Sequence, residues 1–144
     1  DSREGSTYIP PGQTFGIFEG GVFLDKAVPT RVIFEWIKSP IWNKYEGGPK
    51  TVFLKEIVKK FEVGNLPRIE VEVQNNSLSL VRNIVGFAVV YDQKGTALAS
   101  SRTVIDSIPA GRADSMVFSW PEPFGATAGR VEVLHWVEPT PVKN

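Results

Sequence analysis

The sequence predicts an all-β protein, an immunoglobulin-like antiparallel β-sandwich preceded by an N-terminal partial β repeat. Three observations predict this class. Short runs alternate between apolar and polar residues, turn-forming residues separate the runs, and residues 9–45 match residues 108–144 without a gap. We therefore predict two units, a partial immunoglobulin-like repeat over residues 1–48 and a complete β-sandwich domain over residues 49–144.

The first element of the complete domain, residues 51–62, fits two interpretations. Four apolar residues stand at i, i+3, i+4 and i+7, which is helical spacing: Leu54, Ile57, Val58 and Phe61. A strand would instead place three residues on one face: Phe53, Ile57 and Phe61. The position at the start of a sandwich favours the strand, although the pattern alone leaves the choice open.

The next run, Arg68–Gln74, alternates without error and places Ile69, Val71 and Val73 on one face. This is the period of a half-buried strand. The turn-forming residues Asn75–Ser77 end it, and they also fit a glycosylation sequon.

A central strand is predicted over Ile84–Tyr91, because this run is apolar on both of its alternating faces. Asp92–Gly95 then reads as a hairpin turn, with Gly95 available for a positive φ. Thr96–Ile105, rich in small and β-branched residues, is the return strand.

Two further strands close the domain. Ile108–Gly111 predicts a turn, after which three residues share a face until prolines stop the strand: Met116, Phe118 and Trp120. The last strand, Arg130–Val137, carries three valines in phase: Val131, Val133 and Val137.

The internal match aligns Ile9, Pro10 and Gly12 with Ile108, Pro109 and Gly111, and it also includes Arg31, Val32 and Pro40. It predicts that residues 9–37 are the closing strands of a sandwich whose first half is absent. Open strand edges tend to pair with another strand, and aromatic rings are more stable when they are buried against another surface. The segment must therefore pack on the complete domain, pair with a partner, or receive strands from one.

The stretch Phe87–Asp92, followed by Gln93–Gly95, resembles the signature of FxLYD-type domains of bacterial envelope proteins. The resemblance covers roughly residues 51–137 and departs from the motif, since Phe87 and Tyr91 are four positions apart, one more than in Phe-x-Leu-Tyr. It implies an extracytoplasmic β-sandwich without known catalysis, and an N-terminal segment that closes a sister domain in tandem. It names no ligand.

Composition narrows the function classes. Sixteen basic residues balance sixteen acidic ones, which argues against a nucleic-acid or anionic-membrane partner, and no phosphate-binding glycine loop supports a nucleotide. The absence of cysteine excludes disulfides and thiolate chemistry.

The chain starts at Asp1, and its single methionine is Met116. This start predicts a processed product or an excised segment, and together with the resemblance it favours export to the cell surface or the cell envelope.

Few residues in the sequence are candidates for catalysis or for binding a metal or cofactor. The single histidine, His135, is expected to be a partly buried or edge residue rather than a general base or metal ligand. We predict no catalytic, cofactor-binding or metal-binding residues and no cofactor. Trp36 and Trp120 are expected in the core and Trp42 in an exposed loop. The candidate partner-contact or ligand-contact residues are Trp42, Tyr45, Phe15, Phe18 and Trp136.

These features predict a non-catalytic structural or assembly module of an extracellular or cell-surface protein, such as a component of a stalk, pilus or filament. The expected partners are other copies of the chain or another envelope protein, bound through exposed strand edges. The alternative is a carbohydrate-binding or protein-binding adhesion module that uses exposed aromatic residues, with a glycan as the possible ligand.

Overall fold

The computed structural model of the protein describes residue 9, residues 33–43 and residues 54–138. Within these ranges, the regular secondary structure is entirely β. In chain order, the strands are β1 (Leu54–Glu62), β2 (Arg68–Asn75), β3 (Val81–Asp92), β4 (Ala97–Ile108), β5 (Ala113–Ser119) and β6 (Ala128–Val137). The predicted all-β class is confirmed.

The strands form two antiparallel three-stranded sheets, in the orders β1-β2-β5 (sheet A) and β4-β3-β6 (sheet B). β1–β2 and β3–β4 are hairpins within one sheet, and the other three connections cross between sheets. β4 and β5 are neighbours on one side of the molecule. β1 and β6 therefore flank the other side, and the predicted β-sandwich is confirmed.

The core lies between the two sheets. The alternating residues of β2 are fully buried: Ile69, Val71 and Val73. They pack with buried residues of β3 and β5, which include Ile84, Ala88, Val90, Met116 and Phe118. Complete burial of each large apolar side chain is worth about 1.5–3 kcal/mol, so these central strands dominate the stability of the sandwich.

β1 is a strand, as predicted, but its inward face differs from the predicted one. The register shifts between Val58 and Lys60, so a bulge adds one residue to β1. Val58 and Phe61 lie opposite Val71 and Ile69 on the inner side, whereas Ile57 lies opposite Glu72 on the outer side. The predicted common face of Phe53, Ile57 and Phe61 is therefore wrong for Ile57, and Phe53 lies outside the described residues.

The bulge also explains why the spacing of apolar residues in β1 fits a helix. The register places Leu54, Val58 and Phe61 on the inner side, at i, i+4 and i+7, although Val58 itself is 45% exposed. In a regular strand, inward residues are separated by an even number of positions. The extra residue of the bulge makes the separation between Val58 and Phe61 three positions instead. A bulged strand and an amphipathic helix thus produce the same spacing here.

Two predicted turns are confirmed. Asp92 Oδ1 accepts hydrogen bonds from the backbone N–H groups of Lys94 and Thr96, each at 2.8 Å, which fixes the β3–β4 hairpin. Gly95 has a φ of 86° and Gly111, in the turn before β5, has a φ of 68°. Both values lie in the left-handed region, where glycine is tolerated without strain.

Residues 33–43 contain no strand, although the partial repeat predicted strand structure as far as residue 37. Trp36, expected in the core, is 60% exposed, so that prediction is wrong. The remainder of the predicted repeat, and the boundary between residues 48 and 49, lie outside the described residues. Trp120, by contrast, is partly buried against the core as predicted.

Candidate functional site

The outer face of sheet B is unusual because its central strand is buried on that side as well. Val85 is fully buried and Phe87 is 9% exposed, yet neither belongs to the cluster between the sheets. Their neighbours on the same face of β6 are Trp136 and Leu134, respectively. A strand buried on both faces needs apolar cover on both sides, so this outer surface is a second apolar layer of the domain.

An ion pair also spans this outer layer. Arg102, opposite Phe87 on β4, has a guanidinium nitrogen 3.1 Å from a carboxylate oxygen of Glu138, which follows β6. The pair crosses from one side of β3 to the other. The aliphatic stem of an arginine can lie along apolar surface while its head stays in water, and this placement helps to shield Phe87.

The open side of the sandwich, between β1 and β6, holds a polar contact between the sheets. His135 shares the inner face of β6 with Val133 and Val137, and its Nδ1 lies 3.1 Å from Oε2 of Glu56 on β1. The ring nitrogen does not meet the directional requirement of a hydrogen bond. The contact is therefore an ion pair when the imidazole is protonated, which agrees with the expectation of a structural, partly buried histidine.

A polar cluster surrounds the end of β3. The guanidinium of Arg130 lies 3.8 Å from the ring centre of Tyr91, and the Tyr91 hydroxyl donates to Glu132 at 3.1 Å. A solvent-open depression of about 500 Å³ lies beside it, lined by Asp92, Gln93, Lys94, Gly95, Gly129 and Arg130. Asp92 is committed to the hairpin, so the cluster serves to hold β6 against the end of β3.

Asn75 fixes the crossing from sheet A to sheet B. It is fully buried, and its Nδ2 donates to the carbonyl oxygens of Ser79 at 2.8 Å and Ile108 at 2.9 Å. Its Oδ1 accepts from the backbone N–H and the hydroxyl of Ser77. The sequon at this position is thus unavailable in the folded domain, because glycosylation needs an exposed amide nitrogen.

Residues 33–42 form what we call the apolar segment. It contains large apolar side chains that are 60% to 87% exposed: Ile33, Phe34, Trp36, Ile37, Ile41 and Trp42. Phe34 and Trp36 make an edge-to-face ring contact, with centroids 4.9 Å apart. Clusters of exposed apolar side chains are typical of surfaces that bind a partner, so this segment is the candidate binding surface of the described residues.

The predicted contact residues fall in different parts of the chain. Trp42 lies in the apolar segment and is 69% exposed, which confirms its expected exposure. Trp136 lies on β6, partly buried on the outer layer of sheet B opposite Val85. Phe15, Phe18 and Tyr45 lie outside the described residues.

Several structural contacts were not predicted from the sequence: Glu56–His135, Arg102–Glu138 and the hydrogen bond from Asn75 to Ile108. Each joins residues far apart in the chain. Among residues 33–43 and 54–138, no group of three or more His, Cys, Asp or Glu side chains could hold a metal ion. No helix in the same ranges could cross a lipid bilayer.

Comparison with known proteins identifies no family and no function for this chain. No protein-family model and no curated protein matches the sequence. Among solved structures, a DUF1425 family member from Shewanella sp. pv-4 shows 15% identity and a TM-score of 0.46, over 69% of this chain and 89% of that one. A β-glucuronidase from glycoside hydrolase family 2 shows 18% identity and a TM-score of 0.32, over 62% of this chain and 8% of the enzyme. Similarities this weak carry no argument about function.

Proposed function

We propose that this chain is a non-catalytic structural or assembly module of an extracellular or cell-surface protein, such as a component of a stalk, pilus or filament. The observation that carries the proposal is the apolar segment. Its six large apolar side chains are exposed on a chain that also holds a well-packed sandwich. Leaving such side chains in water forfeits about 1.5–3 kcal/mol each, and a protein partner would recover much of that free energy.

The polar side chains of the sandwich support the same proposal. Asn75 and Asp92 are committed to backbone hydrogen bonds that fix the loops. Glu56 and His135 pair across the two sheets, and Arg102 pairs with Glu138 across β3. These residues strengthen connections between strands, as expected in a module whose task is mechanical.

The proposed partners are further copies of the chain or another envelope protein. A protein interface fits the apolar segment because tryptophan and other aromatic residues are enriched where partners bind tightly. The proposed extracellular or envelope location rests on the resemblance of Phe87–Gly95 to the FxLYD signature.

Assembly is tested with the full chain by size-exclusion chromatography with light scattering and by negative-stain electron microscopy. We expect oligomers or filaments whose mass increases with concentration. Replacing Phe34 and Trp36 with serine should abolish them. The control is Leu78→Ser, which removes a fully exposed apolar side chain from the β2–β3 loop. A chain that stays monomeric at all concentrations overturns the proposal.

A second candidate function is glycan binding, which the 69% exposure of Trp42 favours, because exposed tryptophan rings stack on sugars. A glycan array with the wild-type chain and Trp42→Ala decides it. Specific binding that is lost in Trp42→Ala supports this function. Either no binding or binding equal in both proteins removes it.

A further inference from the structure

We propose that the apolar segment of one copy adds as a strand to the outer edge of β6 in a second copy and so extends sheet B. This inference rests on the proposed assembly function and names the two surfaces that meet. The occupant of the β6 edge is a second copy of the chain, and the bound element is residues 33–37 with the apolar residues that follow them.

The four outer strands of the sandwich differ in how well they resist strand addition. Charged side chains and bulges discourage pairing at a sheet edge. β1 carries three lysines and a bulge, β4 carries Arg102 and Asp106, and β5 is short, begins with Ala113 and Asp114, and lies beside β4.

β6 lacks these protections over its second half. Val133–Val137 contains no Asp, Glu, Lys or Arg residue, and β6 pairs with β3 without a register shift from Arg130 to Val137. Among the described strands, β6 is the last in sheet B and has β3 on one side only. Over Val133–Val137 neither a bulge nor a charged side chain interrupts this edge, and such an edge is a template for an added strand.

The apolar segment has the composition of a strand. Residues 33–37 read Ile-Phe-Glu-Trp-Ile, and β-branched and aromatic residues favour a pleated, half-buried surface. In the internal sequence match, these residues align with residues 132–136, which lie inside β6. The segment thus has a strand-forming composition and aligns with a strand position, without being a strand in the single chain.

The exposures within the single chain favour a second copy as the occupant. If the segment docked on its own sandwich, its apolar side chains would be covered, yet Phe34, Trp36 and Ile37 are 67%, 60% and 79% exposed. The two surfaces also differ from each other, so the contact is head-to-tail. A head-to-tail contact that does not close into a ring produces a linear polymer.

Cysteine cross-linking tests the pairing directly, because the chain has no cysteine of its own. One variant carries Ile37→Cys and the other carries Glu132→Cys on β6. The control partner is Asp106→Cys on β4, the opposite edge of sheet B. All three sites are exposed, so the substitutions leave the core intact. The variants are mixed, assembled and treated with a short bismaleimide, which tolerates a shift in register of one or two residues.

We expect a covalent dimer between the Ile37→Cys and Glu132→Cys variants, and its loss when Asp106→Cys replaces Glu132→Cys. Hydrogen exchange of the β6 amides should slow on assembly, while exchange of the β1 amides stays unchanged. Assembly with equal cross-linking to both edges, or with slowed exchange in β1 instead of β6, overturns this inference but not the assembly function.

A chain that carries both Ile37→Cys and Glu132→Cys separates the two docking modes. An intramolecular cross-link in the monomer would show that the segment docks on its own β6, which overturns the inference. Cross-links that form only between chains support it. If no assembly occurs at all, the proposed function fails together with the inference.

Discussion

Gly86, in the middle of β3, gives the sharpest test of the packing described above. It lies on the inner face of sheet B, opposite His135 of β6 and Thr103 of β4. A Cβ added there would overlap the Sδ of Met116 and would lie 3.1 Å from Cζ of Phe118. Both side chains are almost fully buried, so they have little room to withdraw.

The magnitude follows from two opposing terms. Overpacking a buried site typically costs about 1–3 kcal/mol. Replacing glycine with alanine also stabilises by roughly 0.4–1 kcal/mol, because the unfolded chain loses conformational freedom. For Gly86→Ala we therefore expect a net loss of about 1–2 kcal/mol in the free energy of unfolding. In a domain of this size, 1 kcal/mol corresponds to about 4–8 °C in Tm.

The assay is equilibrium urea unfolding of Gly86→Ala beside Gly125→Ala, with Tm as a second readout. Gly125 is the matched control, because an added Cβ there meets nothing within 4 Å and its φ lies outside the left-handed region. Gly125→Ala should be neutral or slightly stabilising. Equal stability of the two variants would refute the packing of Met116 and Phe118 on β3.

Two further predictions concern the loops. Asn75→Ala removes the donors to Ser79 and Ile108 and deprives the buried Ile108 carbonyl of a hydrogen bond, so we expect a loss of about 1–3 kcal/mol by urea unfolding. The exposed neighbour variant, Asn76→Ala, should stay within about 0.5 kcal/mol, and equal effects would contradict the assigned role of Asn75. Gly129→Ala would place its Cβ 2.9 Å from the backbone carbonyl oxygen of Asp92, which cannot rotate away. We expect a loss of about 1–3 kcal/mol and faster hydrogen exchange at the start of β6, and unchanged exchange there would contradict the close approach.

Most of the strands could be predicted because alternation is a local property. The inward residues of β2 were identified as a set, and all of them are fully buried: Ile69, Val71 and Val73. The predicted bounds of β2, β4 and β6 differ from the observed ones by at most three residues. The hairpin at Asp92–Gly95 could also be predicted from the sequence, since one carboxylate and one glycine define that turn.

The inward face of β1 could not be predicted, because a bulge depends on the partner strand. Nothing in residues 54–62 marks Lys59 as the extra residue, and only pairing with β2 shows it. Trp36 was misassigned for a related reason. Its alternation with Phe34 resembles a strand, but burial requires a neighbouring surface, and in the single chain Trp36 is 60% exposed. Of the candidate contact residues, only the exposure of Trp42 was predicted and confirmed.

By itself, the sequence determined the all-β class of the described sandwich and the turns at Asp92–Gly95 and Ile108–Gly111. The tertiary structure decided which strands are neighbours, and so which residues meet: Glu56 with His135, Arg102 with Glu138, and Gly86 with Met116. The physical reason is that the apolar–polar alternation of a strand is set by the sequence of that strand alone. Strand order, register and the exposure of β6 at one edge of sheet B depend instead on segments brought together from distant parts of the chain.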